Sequence, residues 1–224
     1  MNGIAYEKAR LFADLRTAGI TDDLVLAAMD AVPREAFVLP EMHHRAWENT
    51  ALAIECGQTI SQPFIVAAMT QALELTDRDK VLEIGTGCGY QAAILAKIAR
   101  RVYTIERHRP LHERAERRFH DLHIRNITPI CADGMKGWPK INGISQAPFD
   151  KIIVTAAARE KPPAALIEQL RIGGILVIPV GGPGEQVLKR YTRMADDTYS
   201  IQDLMPVRFV PLLPDVADNG NEAA

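Results

Sequence analysis

The sequence predicts an α/β fold. A mostly parallel sheet carries helices on both faces, ends in an antiparallel hairpin and follows a helical extension. Three observations carry this reading. Short apolar runs alternate with helix-period segments between residues 80 and 179, and strands that alternate with helices build parallel sheets. Three glycines in five residues, Gly85, Gly87 and Gly89, join the first of those strands to the first of those helices. Residues 186–194 and 199–210 are strand-like with no long helix between them, which is the pattern of a hairpin.

The elements follow in order. Residues 4–31 read as two helices parted at Gly19, with Leu11 and Leu15, then Leu24, Leu26 and Met29, as apolar faces; Thr21-Asp-Asp-Leu24 is a helix start. Pro33 ends the second helix, because proline disfavours helix in the residue before it. Residues 35–55, with Phe37, Pro40, Trp47 and Leu52, read as a packed irregular segment. Residues 65–75 form an apolar-periodic helix, and Pro63 suits its first turn, where a missing N–H costs nothing. Strand 81–84, helix 91–99, strand 101–106, helix 110–123 and strand 126–131 come next. Strand 149–157, helix 163–170 and strand 173–179 complete the alternation. Pro211-Leu-Leu-Pro214 closes the hairpin, and the polar residues after it read as a frayed tail.

Composition excludes several classes. At 224 residues, with 47% hydrophobic and 24% charged residues, the chain matches an ordinary soluble globule. A formal net charge of −2 makes no electrostatic case for nucleic acid. No apolar run approaches the roughly 18 residues of a membrane span, and the start lacks a signal-peptide core. Cys56, Cys88 and Cys131 are odd in number and far apart, which fits reduced thiols in a cytoplasmic protein. His108, His112, His120 and His123 lie in or beside one Arg-rich helix with no further ligand placed to complete a metal site, so no metal is expected and a solvated, salt-bridged face is.

The chemistry gathers at strand ends. A strand, a glycine turn and a helix make a nucleotide-binding start, because glycine accepts positive φ and lets a ligand approach the backbone. The dinucleotide fingerprint is not met cleanly: Gly85-x-Gly87 lacks its third glycine at Tyr90, and Gly87-x-Gly89-x-x-Ala92 fits only loosely. Glu83, just inside the strand end, is read as pointing its charge at the loop. That suits a cationic, amino-acid-bearing ligand such as S-adenosylmethionine better than a pyrophosphate. Glu106 lies about 20 residues past the loop, where a carboxylate accepts ribose hydroxyls. Asp133, before Gly134, is placed to take an adenine amino group, and Thr155 ends the next strand among small residues. Ser61 and Thr59, from their types alone, read as helix caps.

These residues also carry a resemblance over nearly the whole chain. Ala31-Val-Pro-Arg34 with Phe37-Val38, Gly57-Gln-Thr-Ile-Ser-Gln-Pro63, Val81-Leu-Glu-Ile-Gly-Thr-Gly87 with Gly89-Tyr-Gln91, Asp133-Gly134 with Gly137-Trp138, Phe149-Asp150, Ile152-Ile-Val-Thr-Ala156 and Val207-Arg-Phe-Val-Pro-Leu212 occur in that order. In this the sequence resembles the protein-L-isoaspartate O-methyltransferases; the 57–63 stretch is its most specific mark. The resemblance implies a Rossmann-like methyltransferase sheet at 79–214, a helical, substrate-lid segment at 1–78 packed on it as one domain, and a frayed tail at 215–224. It implies methyl transfer from S-adenosyl-L-methionine, leaving S-adenosyl-L-homocysteine, to the α-carboxylate of L-isoaspartyl residues in peptides and proteins. It assigns Ser61 as the active-site serine, and Thr59, Ile60, Val210, Pro211 and Leu212 to substrate. Gly85, Thr86, Gly87 and Gly89, with Glu83, Glu106, Asp133, Gly134 and Thr155, fall to the cofactor. Cys88 departs from a common Ser, and Trp47 and Glu48 from a common Tyr or Asp. A monomer without nucleic-acid or membrane partners is expected. The other readings are a methyltransferase for small molecules or RNA, which residues 57–63 oppose, and a non-catalytic cofactor binder, which a broken loop or a lost Ser61 would favour.

Overall fold

A computed structural model describes residues 3–195 and 198–217. Helices α1 (Gly3–Thr17) and α2 (Asp23–Ala31) open the chain. Asp22 caps α2 by accepting from the N–H groups of Leu24 and Val25 at 2.9 and 3.3 Å, which satisfies donors that have no partner within the helix. Two short 3-10 turns follow, Arg34–Phe37 and Pro40–Arg45. Strands β1 (Leu52–Ala53) and β2 (Thr59–Ile60) then pair antiparallel. Its first strand lies within the stretch 35–55 that the sequence suggested was irregular, and its second just beyond it; strands of two residues are too short for any alternation to show. Helix α3 (Pro63–Ala72) starts on its proline.

The central sheet uses β3 (Lys80–Ile84), β4 (Arg101–Glu106), β5 (Ile127–Cys131), β6 (Phe149–Val154), β7 (Leu170–Val180), β8 (Gln186–Arg193) and β9 (Tyr199–Val207). Their order is β5-β4-β3-β6-β7-β8-β9. The first five run parallel, β8 turns back on β7, and β9 turns back on β8. Helices α4 (Tyr90–Ile98), α5 (Arg109–Asp121) and α6 (Ala164–Gln169) make three of the four crossovers, and a 3-10 turn, Gly134–Lys136, lies in the fourth, between β5 and β6. The expected parallel sheet with a C-terminal antiparallel hairpin is present.

Side chains of a strand alternate between faces, and the core divides accordingly. Val81, Val102, Ile153, Ile175 and Val177 belong to one apolar cluster with α1 to α5. Their neighbours Leu82, Ile152, Val154, Leu176 and Ile178 belong to a second cluster with Leu166 of α6, Trp138 and Phe149. One face therefore carries most of the helices. The chain end differs from expectation. The segment 210–212 runs beside Ala157, with Ala157 N donating to Val210 O and Leu212 N to Ala157 O, both at 2.8 Å. Asp215 and Ala217 are held too: Arg107 Nε donates to Asp215 O at 3.3 Å, and Ala217 N to Arg107 O at 3.0 Å. The rest of the expected tail, 218–224, lies outside the described residues.

Candidate active site

The strand order reverses between β3 and β6, and loops leaving two such strands part to opposite sides and open a crevice at their carboxyl ends. A cavity of about 1010 Å3 occupies this place. Ser61, Thr59 and Ile60 line it, together with Gly85, Thr86 and Gly87 of the glycine loop and with Val210, Pro211 and Leu212.

The loop is built for close approach. Gly85 sits at φ +93°, and a Cβ there would lie 2.3 Å from Thr155 Oγ1. Thr155 uses that hydroxyl to reach the carbonyls of Ile84 and Gly85, at 3.1 and 2.6 Å. Gly87 donates its N–H to Glu106 Oε2 at 2.7 Å, and His108 N donates to Oε1 at 2.9 Å. Glu106 thus locks the loop and still keeps lone pairs on both oxygens for ligand hydroxyls. Gly134 lines the cavity and packs closely on Ile84, where a Cβ would lie 2.4 Å from Ile84 Cγ2. Thr86 lines it as well.

Three predicted residues do not line it. Glu83 lies directly across from Thr104 on β4 and is fully buried. Its Oε2 accepts from the Thr104 hydroxyl at 2.5 Å, and that hydroxyl meets the hydroxyl of Thr86 at 2.6 Å. Glu83 therefore reaches the cavity wall only through Thr104 and Thr86, not by facing the loop. Burial pushes its carboxyl up to about 8, opposed by the Thr104 bond and assisted by the nearby charge of Glu106. Gly89 is a packing position: it starts α4 at φ +93°, and a Cβ would lie 2.7 Å from the Phe119 ring of α5. Asp133 caps the 3-10 turn Gly134–Lys136, accepting from Met135 N at 2.9 Å with Lys136 Nζ at 3.1 Å. Burial would raise the Asp133 carboxyl, but the backbone at Asp215 and Met135 and the Lys136 ammonium hold it below its ordinary value. An acid before a glycine suits a turn cap as well as a ligand contact, so the sequence did not separate the two.

Ser61 is not a helix cap. The cap of α3 is Gln62, and the first-turn N–H of Phe64 donates to Asn49 Oδ1 at 3.0 Å. The Ser61 carbonyl accepts from Arg34 Nη2 at 2.9 Å. At the far edge, Gln186 clamps Phe209 from both sides: Phe209 N donates to Oε1 at 2.6 Å, and Nε2 donates to Phe209 O at 3.1 Å.

Sequence reading missed Tyr90, Gln91, His108 and Arg208, which also line the cavity. His108 was read as part of a solvated face but is buried. Arg118, from the same basic run, turns inward to the carbonyls of Ala36 and Cys88, at 3.1 and 3.3 Å. Position one before a helix start was the available signal for His108.

S-Adenosylmethionine fits these walls on the chain's own evidence. The cavity sits at the switch point, glycines 85, 87 and 134 line it without side chains to fill it, and Glu106 presents a fixed carboxylate. The comparisons agree. The family model for protein-L-isoaspartate(D-aspartate) O-methyltransferase matches residues 6–217. A protein-L-isoaspartate O-methyltransferase of Rhodospirillum centenum is 52% identical over 219 residues, covering 98% of this chain and 97% of its own. One from Parvibaculum lavamentivorans is 52% identical over 214 residues, covering 94% and 93%. A solved protein-L-isoaspartate O-methyltransferase superposes with a TM-score of 0.81 at 27% identity, over 93% of this chain and 67% of that one. Another, from Plasmodium falciparum and in complex with S-adenosyl-L-homocysteine, gives 0.75 at 25% identity, over 92% and 98%. With the sheet, the glycine cradle and the serine-bearing wall all accounted for, this chain belongs to the protein-L-isoaspartate O-methyltransferase family of S-adenosylmethionine-dependent enzymes.

Proposed function

We propose that this chain methylates the α-carboxylate of L-isoaspartyl residues in peptides and proteins, with Ser61 orienting that carboxylate. The observation that carries the assignment of Ser61 is its place on the wall of the cavity that the glycine loop also lines, with its hydroxyl not spent on capping α3. The bound cofactor supplies an electrophilic methyl group on a sulfonium. Gly85, Gly87 and Thr86 are suited to its amino-acid end, Glu106 to its ribose and Gly134 to its base. The acceptor carboxylate is ionised at neutral pH, so the protein needs no general base. Its work is alignment and the exclusion of water. Ser61 donates one hydrogen bond to the acceptor. The edge at 210–212, tied to Ala157, offers the peptide a wall. Methylation turns the carboxylate into a methyl ester; attack by the following backbone nitrogen on the ester carbonyl then closes a succinimide and expels methanol, and addition of water opens the ring partly to L-aspartyl. The buried thiol of Cys88 and the thiol of Cys131 support a reducing, cytoplasmic setting.

The test offers labelled methyl donor and two synthetic peptides, alike except for L-isoaspartate or L-aspartate at one position. Wild type should form a base-labile ester on the isoaspartyl peptide only. Ser61→Ala should lower kcat by about a hundredfold, the scale of lost alignment, with cofactor affinity retained. Equal transfer to both peptides, or to neither, would discard the substrate; a Ser61→Ala variant with wild-type kcat would discard the role of the serine.

A further inference from the structure

Arg34 heads the largest wholly buried side chains among the described residues, yet it does not line the cavity. It stands in the short turn after α2. Nε donates to Ala46 O at 2.8 Å, and Nη2 donates to Ser61 O at 2.9 Å. Its guanidinium carbon lies 4.7 Å from the centre of the Tyr90 ring. Ala46 belongs to the N-terminal extension and Ser61 to the acceptor wall. Tyr90 opens α4 directly after Gly89, so it belongs to the glycine-loop side. One planar group therefore touches two residues of the cavity lining, Ser61 and Tyr90, without lining the cavity itself.

Packing does not explain this choice. A buried cation is expensive unless its donors are satisfied, and burial holds the Arg34 guanidinium below its ordinary value, opposed by its interaction with Tyr90. A leucine or methionine would fill the same volume without that penalty. What an apolar residue lacks is a rigid fork that holds two carbonyls while stacking on a ring, and lysine lacks it too. From this geometry we infer that Arg34 is a positioning residue that sets the offset between Ser61 and the glycine loop, and so the alignment of acceptor carboxylate with methyl donor. The inference rests on Ser61 orienting the acceptor. Reacting atoms must meet at about 3–3.5 Å, and displacement by about 1 Å costs on the order of a hundredfold in rate. Arg118 makes a second link, from the extension to the loop at Cys88, without touching Ser61. It serves as the comparison.

A double-mutant cycle tests it, with Arg34→Lys, Ser61→Ala and the pair, read as kcat, peptide KM and cofactor Kd. Arg34→Lys should lower kcat by about ten- to a hundredfold, with KM and cofactor Kd within about twofold. In the Ser61→Ala background the same change should cost less than about threefold. Arg118→Lys should act equally in both backgrounds. An equal loss from Arg34→Lys with and without Ser61 overturns the inference, as does a loss confined to cofactor affinity or a wild-type kcat. A Ser61→Ala variant with wild-type kcat strikes instead at the reading of the serine. If circular dichroism shows that Arg34→Lys does not fold, Tyr90→Leu removes the ring beneath the guanidinium. Its loss of kcat must then depend on Ser61 in the same way, and independence overturns the inference.

Discussion

Glu106 ends β4 with each carboxylate oxygen bound by a backbone N–H, from Gly87 and from His108, whereas Glu83 on β3 accepts, among the described residues, from the Thr104 hydroxyl alone. Burial without compensating donors favours the protonated acid, and Glu83 is pushed up to about 8 from 4.5. In that window the native protein holds a proton that the unfolded chain has released, so stability falls as pH rises from 4.5 toward 8. Its contribution is complete below the lower value. Glu83→Gln mimics the protonated acid and should remove this slope. Melting temperatures across that range should show the variant gaining on wild type as pH rises; a constant gap would mean that Glu83 is ionised in both states. At Gly89 the backbone demand and the space demand coincide: φ is +93°, and a Cβ would lie 2.7 and 2.9 Å from two Phe119 ring atoms. Gly89→Ala should cost about 2–4 kcal/mol in urea unfolding from strain and overpacking together, and an unchanged midpoint would refute that reading. The acidic strand end and the glycines were visible in the sequence. Which face of β3 carries Glu83 was not, because alternation gives two faces without saying what covers each.

Among the elements, the alternation of strand and helix was legible from residue 80 onward because apolar runs and helix-period faces differ in spacing. The pairing β1–β2 was not, since its register rests on contacts such as Leu52 with Ile60 that no local pattern announces. The edge at 208–212 shows the same limit. Its motif was recognisable, but its support comes from Gln186 at the start of β8, which grips the Phe209 backbone on both sides. Gln186→Ala should free this edge from the sheet and raise peptide KM by about three- to tenfold, with cofactor Kd unchanged. Steady-state kinetics on the isoaspartyl peptide checks this, and an unaltered KM would mean that Ala157 alone holds the edge.

At the scale of the molecule, the sheet brings together parts that the chain keeps apart. Ser61 precedes the glycine loop, and the opposing edge at 210–212 comes near the end of the described chain. A cavity assembled from such distant segments could be inferred from motifs but not from any one stretch, and Arg34 stayed hidden because its meaning lies in Ala46, Ser61 and Tyr90. The order of these parts also has a bearing on synthesis. A ribosome delivers the serine wall and the cradle of Gly85 and Gly87 before the edge clamped by Gln186. A growing chain thus possesses the material for holding a nucleoside before it possesses the wall for a damaged peptide, and its competence as a repair enzyme waits for the arrival of that wall.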